Sequence, residues 1–226
     1  MTFGERMGLE GVLTQVKPKL AIETGTAQGG SLRRIAKHSK EVHAFDIVDE
    51  VADLGKTIKN ATFHIGDSAV LLPQALEGFA KKRRHVDFAL IDGDHSFEGV
   101  KRDALAVVNS DACKRTVIIF HDTANDEVRA GIEAAELHKH PKVGVCLLDF
   151  IPGYLVVEGH ETYSLASWNG LGLVVLDPDA SEALVDDEHY SVNEVYKRAR
   201  STYDGSAATS TAAPSLKSKL KRRLKL

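Results

Sequence analysis

Two short runs of acidic and imidazole side chains stand directly after two apolar stretches of the sequence. The first run holds Asp92, Asp94 and His95, and the second holds His121 and Asp122. Open α/β sheets bind ligands at the carboxyl ends of their buried parallel strands, so we expect these side chains to meet in one crevice. Carboxylates and imidazoles can take up a proton or bind a divalent cation. The sequence therefore predicts a reactive site beside a bound cofactor.

The apolar stretches before these runs are predicted as adjacent buried strands, at Val86–Ile91 and Thr116–Phe120. Helix and strand patterns alternate along the remaining chain. Further strands are predicted at residues 20–24, 41–46, 62–66, 143–148 and 171–176, and helices at 5–16, 31–38, 68–80, 96–109 and 125–138. This alternation predicts an α/β fold with a doubly wound, seven-stranded, mostly parallel, Rossmann-like sheet in three layers. The predicted domain spans residues 1–204.

A glycine-containing turn follows the first strand and leads into a helix. Its Gly-x-x-x-Gly-Gly spacing, from Gly25 to Gly30, differs from the dinucleotide fingerprint, but glycines still allow positive φ and close approach of a ligand. Asp46 ends the second strand, 21 residues after Gly25, where an acid can accept hydrogen bonds from both ribose hydroxyls of a nucleoside. Asp67 can contact an adenine amine or simply cap a helix, and both interpretations are kept.

Five segments together resemble class I S-adenosylmethionine-dependent methyltransferases: Ile22–Thr26, Phe45–Asp46, Ile65–Ser68, Ile91–Val100 and Ile119–Asp122. Within that class the sequence is most similar to metal-dependent O-methyltransferases that act on small molecules such as sugars and macrolides. The resemblance covers roughly residues 18–178, and its most specific part is the Asp-Gly-Asp-His run that starts at Asp92.

The resemblance implies a role for each matching residue. The positions assigned to S-adenosylmethionine are Glu23, Gly25, Gly29, Asp46, Asp67 and Ser68. It assigns Asp92 as the general base and Asp94, His121 and Asp122 as ligands of a divalent cation such as Mg²⁺ or Mn²⁺. Histidine suits Mn²⁺, Fe²⁺ or Zn²⁺ better than Mg²⁺, so the identity of the cation, and the need for one, stay open. His95 is a second candidate for proton transfer.

Two other classes of function are compatible with these residues. A metal-dependent hydrolase acting on phosphoesters could use the same acidic and imidazole groups, but it would leave the turn at Gly25 and Asp46 without a role. A nucleoside-binding module without catalysis would use that turn and no reactive group. The expected acceptor of a methyltransferase is a hydroxyl of a sugar or, second, of a catechol-like diol. A homo-oligomer is left open.

Charge and composition limit the partners of the chain. Six of its 29 basic residues, and none of its 32 acidic ones, lie in residues 205–226, so residues 1–204 carry a formal charge of −9. Such an acidic domain disfavours nucleic acid as a partner. Residues 205–215 are predicted as a flexible linker. The basic segment 216–226 carries Leu216, Leu220 and Leu224 at helical spacing, so it can contact an anionic membrane weakly or stay a disordered solubilising tail.

The sequence predicts a cytoplasmic location. Residues 1–10 lack the apolar core of a signal peptide, and no window reaches the apolar length of a membrane span. Two cysteines in a chain of this length, Cys113 and Cys146, fit a reducing compartment. The basic tail could bring such a protein to the membrane surface.

Overall fold

The computed structural model of the protein describes residues 1–155, 166–186 and 192–207. The chain divides into two compact units, Met1–Ser191 and Val192–Leu226. The helices of the first unit are α1 (Phe3–Val16), α2 (Gly30–His38), α3 (Ser68–Lys81), α4 (Phe97–Asn109) and α5 (Asp126–Ala134), with short 3-10 helices at Asp49–Lys56 and Leu137–Lys139. Its strands are β1 (Leu20–Thr24), β2 (Glu41–Asp46), β3 (Ala61–Ile65), β4 (Phe88–Ile91), β5 (Val117–His121), β6 (Val143–Ile151), β7 (Tyr154–Leu155), β8 (Ser167–Trp168), β9 (Leu171–Leu176) and β10 (Leu184–Val185).

The main sheet has eight strands in the order β10-β6-β9-β5-β4-β1-β2-β3. The five strands from β3 to β5 pair in parallel, whereas β9 runs antiparallel between β5 and β6. The order reverses between β1 and β4, and a crevice opens at the carboxyl ends of strands at such a reversal. The predicted Rossmann-like sheet is confirmed. The eighth strand, β10, is a two-residue addition at the edge, too short to give a pattern in the sequence.

The sheet is buried on both faces, as a parallel sheet requires. Along β4, Phe88 and Leu90 pack into the same cluster as Leu9 and Leu13 of α1. The alternate residues of β4, Ala89 and Ile91, join the cluster that also contains side chains of α3, α4 and α5. Period-two alternation on a central strand thus gives each face its own core, and the predicted three-layer arrangement follows.

Capping side chains fix the start of helices near the crevice. Ser96 accepts a hydrogen bond from the backbone of Gly99 and begins α4, as predicted. Thr2 and Glu5 form a reciprocal capping box at the start of α1. These caps place the first turns of both helices beside the carboxyl ends of the central strands.

The second unit is described only in part. Its described residues form α6, Val192–Ala207, so the predicted linker, which starts at Gly205, begins inside the last turn of this helix. Residues 208–226, which include the basic segment, lie outside the described residues. The boundary at residue 204 and the membrane contact of the tail therefore stay predictions. Across the described part of the chain, no helix combines the length and the apolar character needed to cross a membrane.

Candidate active site

The turn after β1 lies directly against the end of β4. Gly25 has φ +77°, and a Cβ atom at this position would lie 2.0 Å from the carbonyl oxygen of Asp92. Any other residue would therefore clash with the backbone, and its φ would be unfavourable as well. Gly29, at φ +72°, precedes α2, and its N–H donates to the carbonyl of Thr26. Both glycines therefore shape the turn, and their predicted contact with S-adenosylmethionine stays a prediction.

Asp46 holds the same turn from the neighbouring strand β2. Its Oδ2 atom accepts hydrogen bonds from the backbone N–H groups of Thr26 and Ala27, both at 2.8 Å. Its Oδ1 atom accepts one from Val48 at 2.9 Å. A carboxylate offers about four acceptor positions, so Oδ1 still has room for a ribose hydroxyl. The predicted ribose contact is therefore sterically and chemically compatible with the structure, and it stays a prediction.

Glu23 supports the turn from beneath and does not line the crevice. Its side chain is fully buried, and Oε2 accepts a hydrogen bond from the Thr26 hydroxyl at 3.1 Å. Burial raises the pKa of Glu23 to about 8, and the nearby charges of Asp92 and Asp46 add to this effect. Hydrogen bonds from Ser31 and Thr26 oppose the shift without cancelling it. Glu23 is consequently protonated at neutral pH.

The crevice is a cavity of about 670 Å³, within the range of small-molecule and cofactor sites. Its lining residues are Thr24, Gly25, Ala27, Phe45, Asp46, Ile47, Gly66, Asp67, Ser68, Asp92, Gly93, Asp94, His95, His121 and Asp122. A second cavity of about 390 Å³ shares Gly25, Ala27 and Asp92 with the first. The cofactor-type turn and the predicted reactive residues therefore face the same space.

Asp67 and Ser68 lie on the rim of this cavity beside β3. Asp67 is exposed and caps α3, because its Oδ1 atom accepts a hydrogen bond from Ala69 at 2.8 Å. The Ser68 hydroxyl donates to the carboxylate of Asp103 at 3.0 Å. Asp67 thus caps α3 and also lines the cavity, and its predicted contact with the adenine stays a prediction.

Four of the predicted reactive residues come together at the carboxyl ends of β4 and β5. These residues, which we call the four-residue cluster, are Asp92, His95, His121 and Asp122, and their ligand atoms all lie within 4.8 Å of one another. The Nδ1 atom of His121 lies 2.9 Å from Asp92 Oδ1 and 3.2 Å from Asp122 Oδ2. The Nε2 atom of His95 lies 2.9 Å from Asp122 Oδ2 and 3.5 Å from Asp92 Oδ1. The two runs of acidic and imidazole residues, after β4 and after β5, therefore lie together as expected.

Asp94 lies outside the four-residue cluster, although it lines the cavity. Its Oδ1 atom accepts a hydrogen bond from the backbone of Ser96 at 2.9 Å, and its Oδ2 atom lies 3.8 Å from Arg102. The carboxyl group packs over Gly99, where a Cβ atom would lie 2.1 Å from it. The turn that begins α4 therefore directs Asp94 towards the helix. In the structure Asp92 and His95, rather than Asp94, lie beside His121 and Asp122 at the end of β5.

Asp122 is held in a strained conformation by the turn between β8 and β9. Its φ is +57°, a left-handed value that costs a non-glycine residue about 1–3 kcal/mol. The N–H of Asn169 donates to Asp122 Oδ1 at 2.7 Å, and the carbonyl of Asn169 accepts from Ala124 at 2.9 Å. The segment Trp168–Leu171 thus fixes the carboxylate of Asp122.

The charged groups of the cluster shift one another's pKa values. Hydrogen bonds to Asp122 and Asp92 raise the pKa of His95 to about 10. Burial alone would lower the pKa of His121, but close contacts with three carboxylates raise it to about 12. These carboxylates are Asp122, Asp92 and Glu5. Burial also opposes ionisation of Asp122, yet the two imidazoles hold its pKa well below the usual range. Without a cation, both imidazoles are therefore protonated at neutral pH.

Glu5 is a residue of the site that the sequence does not reveal. Its side chain is fully buried, and its Oε1 atom lies 3.3 Å from Nε2 of His121. The spacing of Thr2 and Glu5 is sufficiently explained by the capping box of α1. No local pattern links a residue in the first helix to the end of β5, so only the folded chain shows this contact.

Part of the chain matches a known family model. Residues 22–123 match the family model described as a methyltransferase domain. That range contains the glycine turn and the whole four-residue cluster. A search of curated proteins gives no significant match.

Solved structures with a similar fold include enzymes with different acceptors. An O-methyltransferase from Bacillus cereus in complex with SAH has a TM-score of 0.56 and 18% identity, over 78% of this chain and 82% of that chain. TomG, an O-methyltransferase of tomaymycin synthesis from Streptomyces achromogenes in complex with SAM, has a TM-score of 0.56 and 11% identity, over 78% and 81%. An rRNA methylase from Streptococcus thermophilus has a TM-score of 0.50 and 14% identity, over 78% and 98%. At these identities the similarity shows the fold.

The strand order, the antiparallel β9 and the cavity at the reversal of strand order are those of the class I, Rossmann-like fold. Residues 22–123 of this fold match the methyltransferase domain model. The predicted class I fold is thus confirmed, and the match agrees with the predicted S-adenosylmethionine-dependent methyltransferase. The fold itself does not specify the acceptor, because similar structures include both O-methyltransferases and an rRNA methylase.

Proposed function

We propose that this protein transfers the methyl group of S-adenosylmethionine to a hydroxyl group of a small molecule, a sugar or a diol, with the help of a divalent cation. The observation that carries the proposal is the position of the four-residue cluster. Its imidazoles and carboxylates face the same cavity as Gly25 and Asp46, the residues suited to the cofactor. A small acceptor also suits the acidic charge of residues 1–204, which would repel a nucleic acid.

The cavity fits S-adenosylmethionine in size and charge. Its volume is about 670 Å³, and Gly25, Ala27 and Asp92 line both this cavity and the second one. A carboxylate at Asp92 favours a cationic sulfonium group nearby. Gly25 and Asp46 then define the wall beside the nucleoside, as their positions at the ends of β1 and β2 predict.

The four-residue cluster fits a divalent cation by the chemistry of its donors. Two imidazoles and two carboxylates lie close enough to share one ion, and Mn²⁺, Fe²⁺, Co²⁺ and Zn²⁺ accept imidazole more readily than Mg²⁺ does. Such a cation, when bound, would lower the pKa of an acceptor hydroxyl. His95 and His121 would hold it in their neutral forms, together with Asp122 and Asp92.

Asp92 would take the proton of the acceptor. Its Oδ1 atom contacts the two imidazoles, and no hydrogen bond to its Oδ2 atom is found among the described residues. The acceptor oxygen forms a bond to the methyl carbon while the carbon–sulfur bond breaks and its electron pair neutralises the sulfonium. The hydroxyl proton passes to Asp92. Holding oxygen, carbon and sulfur in line supplies much of the rate, because it replaces a random encounter by a fixed geometry.

Isothermal titration calorimetry with S-adenosylhomocysteine and a methyl-transfer assay test this proposal together. The wild type should bind S-adenosylhomocysteine and should label at least one compound in a panel of sugars and diols. Asp92→Asn should bind S-adenosylhomocysteine within threefold of wild type but transfer methyl groups roughly 10²–10⁴ times more slowly, the usual contribution of a general base. Asp94→Asn, which alters a residue outside the four-residue cluster, should have a much smaller effect.

Three outcomes would contradict the proposal in different ways. A wild type that fails to bind S-adenosylhomocysteine and hydrolyses a phosphoester would be a metal-dependent hydrolase. A wild type that binds S-adenosylhomocysteine but methylates no acceptor in the panel would support a nucleoside-binding module. Equal rates for wild type and Asp92→Asn would show that another residue receives the proton.

A further inference from the structure

A buried ionic contact joins the first helix to the four-residue cluster. Glu5 on α1 is fully buried, and the side chain of His121 is 8% exposed. The Nε2 atom of His121 lies 3.3 Å from Glu5 Oε1, an ion-pair distance, and no hydrogen bond to this buried nitrogen is formed in the described part of the chain. The other ring nitrogen, Nδ1, faces Asp92 and Asp122. The imidazole therefore lies between Glu5 on one side and the four-residue cluster on the other.

Glu5 is itself held rigidly by backbone groups. Its Oε1 atom accepts a hydrogen bond from the N–H of Gly170 at 2.6 Å, and its Oε2 atom accepts one from the N–H of Thr2. The Thr2 hydroxyl accepts in turn from the N–H of Glu5 at 3.3 Å. A side chain anchored by this many contacts keeps one orientation without a further entropic cost, so its carboxylate is a fixed acceptor for His121.

One turn places the carboxylates on both sides of His121. The N–H of Asn169 donates to Asp122, and the N–H of the next residue, Gly170, donates to Glu5. These two residues have φ values of +63° and +92°, so the turn adopts a left-handed conformation at both positions. The spacing between Glu5 and Asp122 is thus set by two consecutive amides of a single turn.

From this geometry we infer that Glu5 is a positioning residue for His121 in cation binding. Glu5 accepts the proton on Nε2 and so directs the lone pair of Nδ1 towards Asp92 and Asp122. This arrangement is the one in which a histidine that binds a metal donates its second N–H to a carboxylate, which fixes the tautomer and makes the ligand more basic. The inference rests on the divalent cation of the proposed function, and it makes the first turn of α1 part of the active site.

Glu5→Gln tests the inference with little disturbance to the helix. Glutamine can complete a capping box, with its amide oxygen accepting from Thr2 as Oε2 does. Its amide N–H₂ then takes the place of Oε1, so the variant lacks both the negative charge and the acceptor that faces His121 and Gly170, and it favours the opposite tautomer of His121. Glu10→Gln is the matched control, because Glu10 lies on the same helix and pairs with Arg34 and His38, away from the four-residue cluster.

The measurement is the binding of Co²⁺ to metal-free, full-length protein, by calorimetry and by the visible spectrum of the bound ion. Glu5→Gln should raise the dissociation constant for Co²⁺ about 10–100-fold and change the spectrum, whereas Glu10→Gln should stay within about twofold of wild type. Circular dichroism and S-adenosylhomocysteine binding of each variant establish that the fold is retained. Equal Co²⁺ affinity for wild type and Glu5→Gln would overturn the inference and leave the proposed function intact.

A second measurement needs no variant at all. In wild-type protein loaded with Zn²⁺, ¹⁵N NMR of the histidine side chains should show His121 bound to the ion through Nδ1, with its proton on Nε2. The opposite tautomer would overturn the inference even if Glu5→Gln failed to fold. If wild type binds neither Co²⁺ nor Zn²⁺ but still transfers methyl groups, the proposed role of Glu5 and the proposed cation are both rejected. The proposed methyl transfer would still hold.

Discussion

Replacement of Glu23 by glutamine should change how the stability of this protein depends on pH. The Glu23 carboxyl group is fully buried beneath the glycine turn, and burial raises its pKa from 4.5 to about 8. Between these two values the folded chain keeps a proton that the unfolded chain releases. Because the folded state binds more protons, the free energy of unfolding falls as pH rises through this window. Glutamine is neutral at every pH and removes this contribution.

The size of the effect follows from the width of the window. One pH unit corresponds to somewhat more than 1 kcal/mol for one proton, so Glu23 should destabilise the wild type by about 3 kcal/mol between pH 5.5 and 7.5. For a chain of 226 residues this corresponds to a change in Tm of roughly 6–12 °C. Relative to Glu23→Gln, the Tm of the wild type should fall by that additional amount over the two pH units.

Thermal unfolding followed by circular dichroism at several pH values measures this difference. The slopes of Tm against pH are compared between wild type and Glu23→Gln. Absolute Tm values are not compared, because the glutamine amide has one more N–H than a protonated carboxyl and can shift stability equally at every pH. Glu77→Gln is the control, since Glu77 lies on an exposed face of α3, where its side chain is 65% exposed. Parallel curves for wild type and Glu23→Gln would show that Glu23 is ionised in the folded protein and that burial does not raise its pKa.

Three further predictions concern the cofactor and the cation. Gly25→Ala should abolish S-adenosylhomocysteine binding in calorimetry and lower the Tm, because its Cβ atom would overlap the carbonyl oxygen of Asp92. Asp46→Ala should weaken S-adenosylhomocysteine binding about 100-fold, since it removes the anchor of the glycine turn and the predicted hydrogen bonds to the ribose. Cation binding should release about two protons, because His95 and His121, with pKa values of about 10 and about 12, must become neutral. The affinity for Co²⁺ should therefore rise about 100-fold from pH 6 to pH 7. Calorimetry in buffers of different ionisation enthalpy should count the released protons. Unchanged affinity or no proton release would contradict the assignment of His95 and His121 as ligands of the cation.

The architecture could be predicted because its signals are local. The apolar runs of β4 and β5, each ending in polar residues, indicate buried parallel strands without any knowledge of the neighbouring chain. Alternation with amphipathic helices then leaves few arrangements other than a doubly wound sheet. Elements of two residues, such as β7, β8 and β10, have no such periodicity, and pairing with a neighbour alone defines them.

The chemical nature of the site was also fixed by the sequence. Acidic and imidazole groups at the ends of neighbouring strands must approach each other, because the ends of parallel strands share one edge of the sheet. Gly25 and Asp46 follow the same rule on the adjoining strands. The types of residue at the crevice, and hence the kinds of chemistry available, are properties of the chain itself.

Only the tertiary structure decided which of these groups touch. Asp92 and Asp94 are two residues apart and chemically identical, yet Asp92 joins the imidazoles while Asp94 caps the turn before α4. Glu5 reaches His121 from the first helix, and Gly170, in the turn before β9, orients the carboxylate of Glu5. Such contacts depend on backbone directions and packing between segments that are remote in the sequence, and those are determined only when the whole sheet has formed.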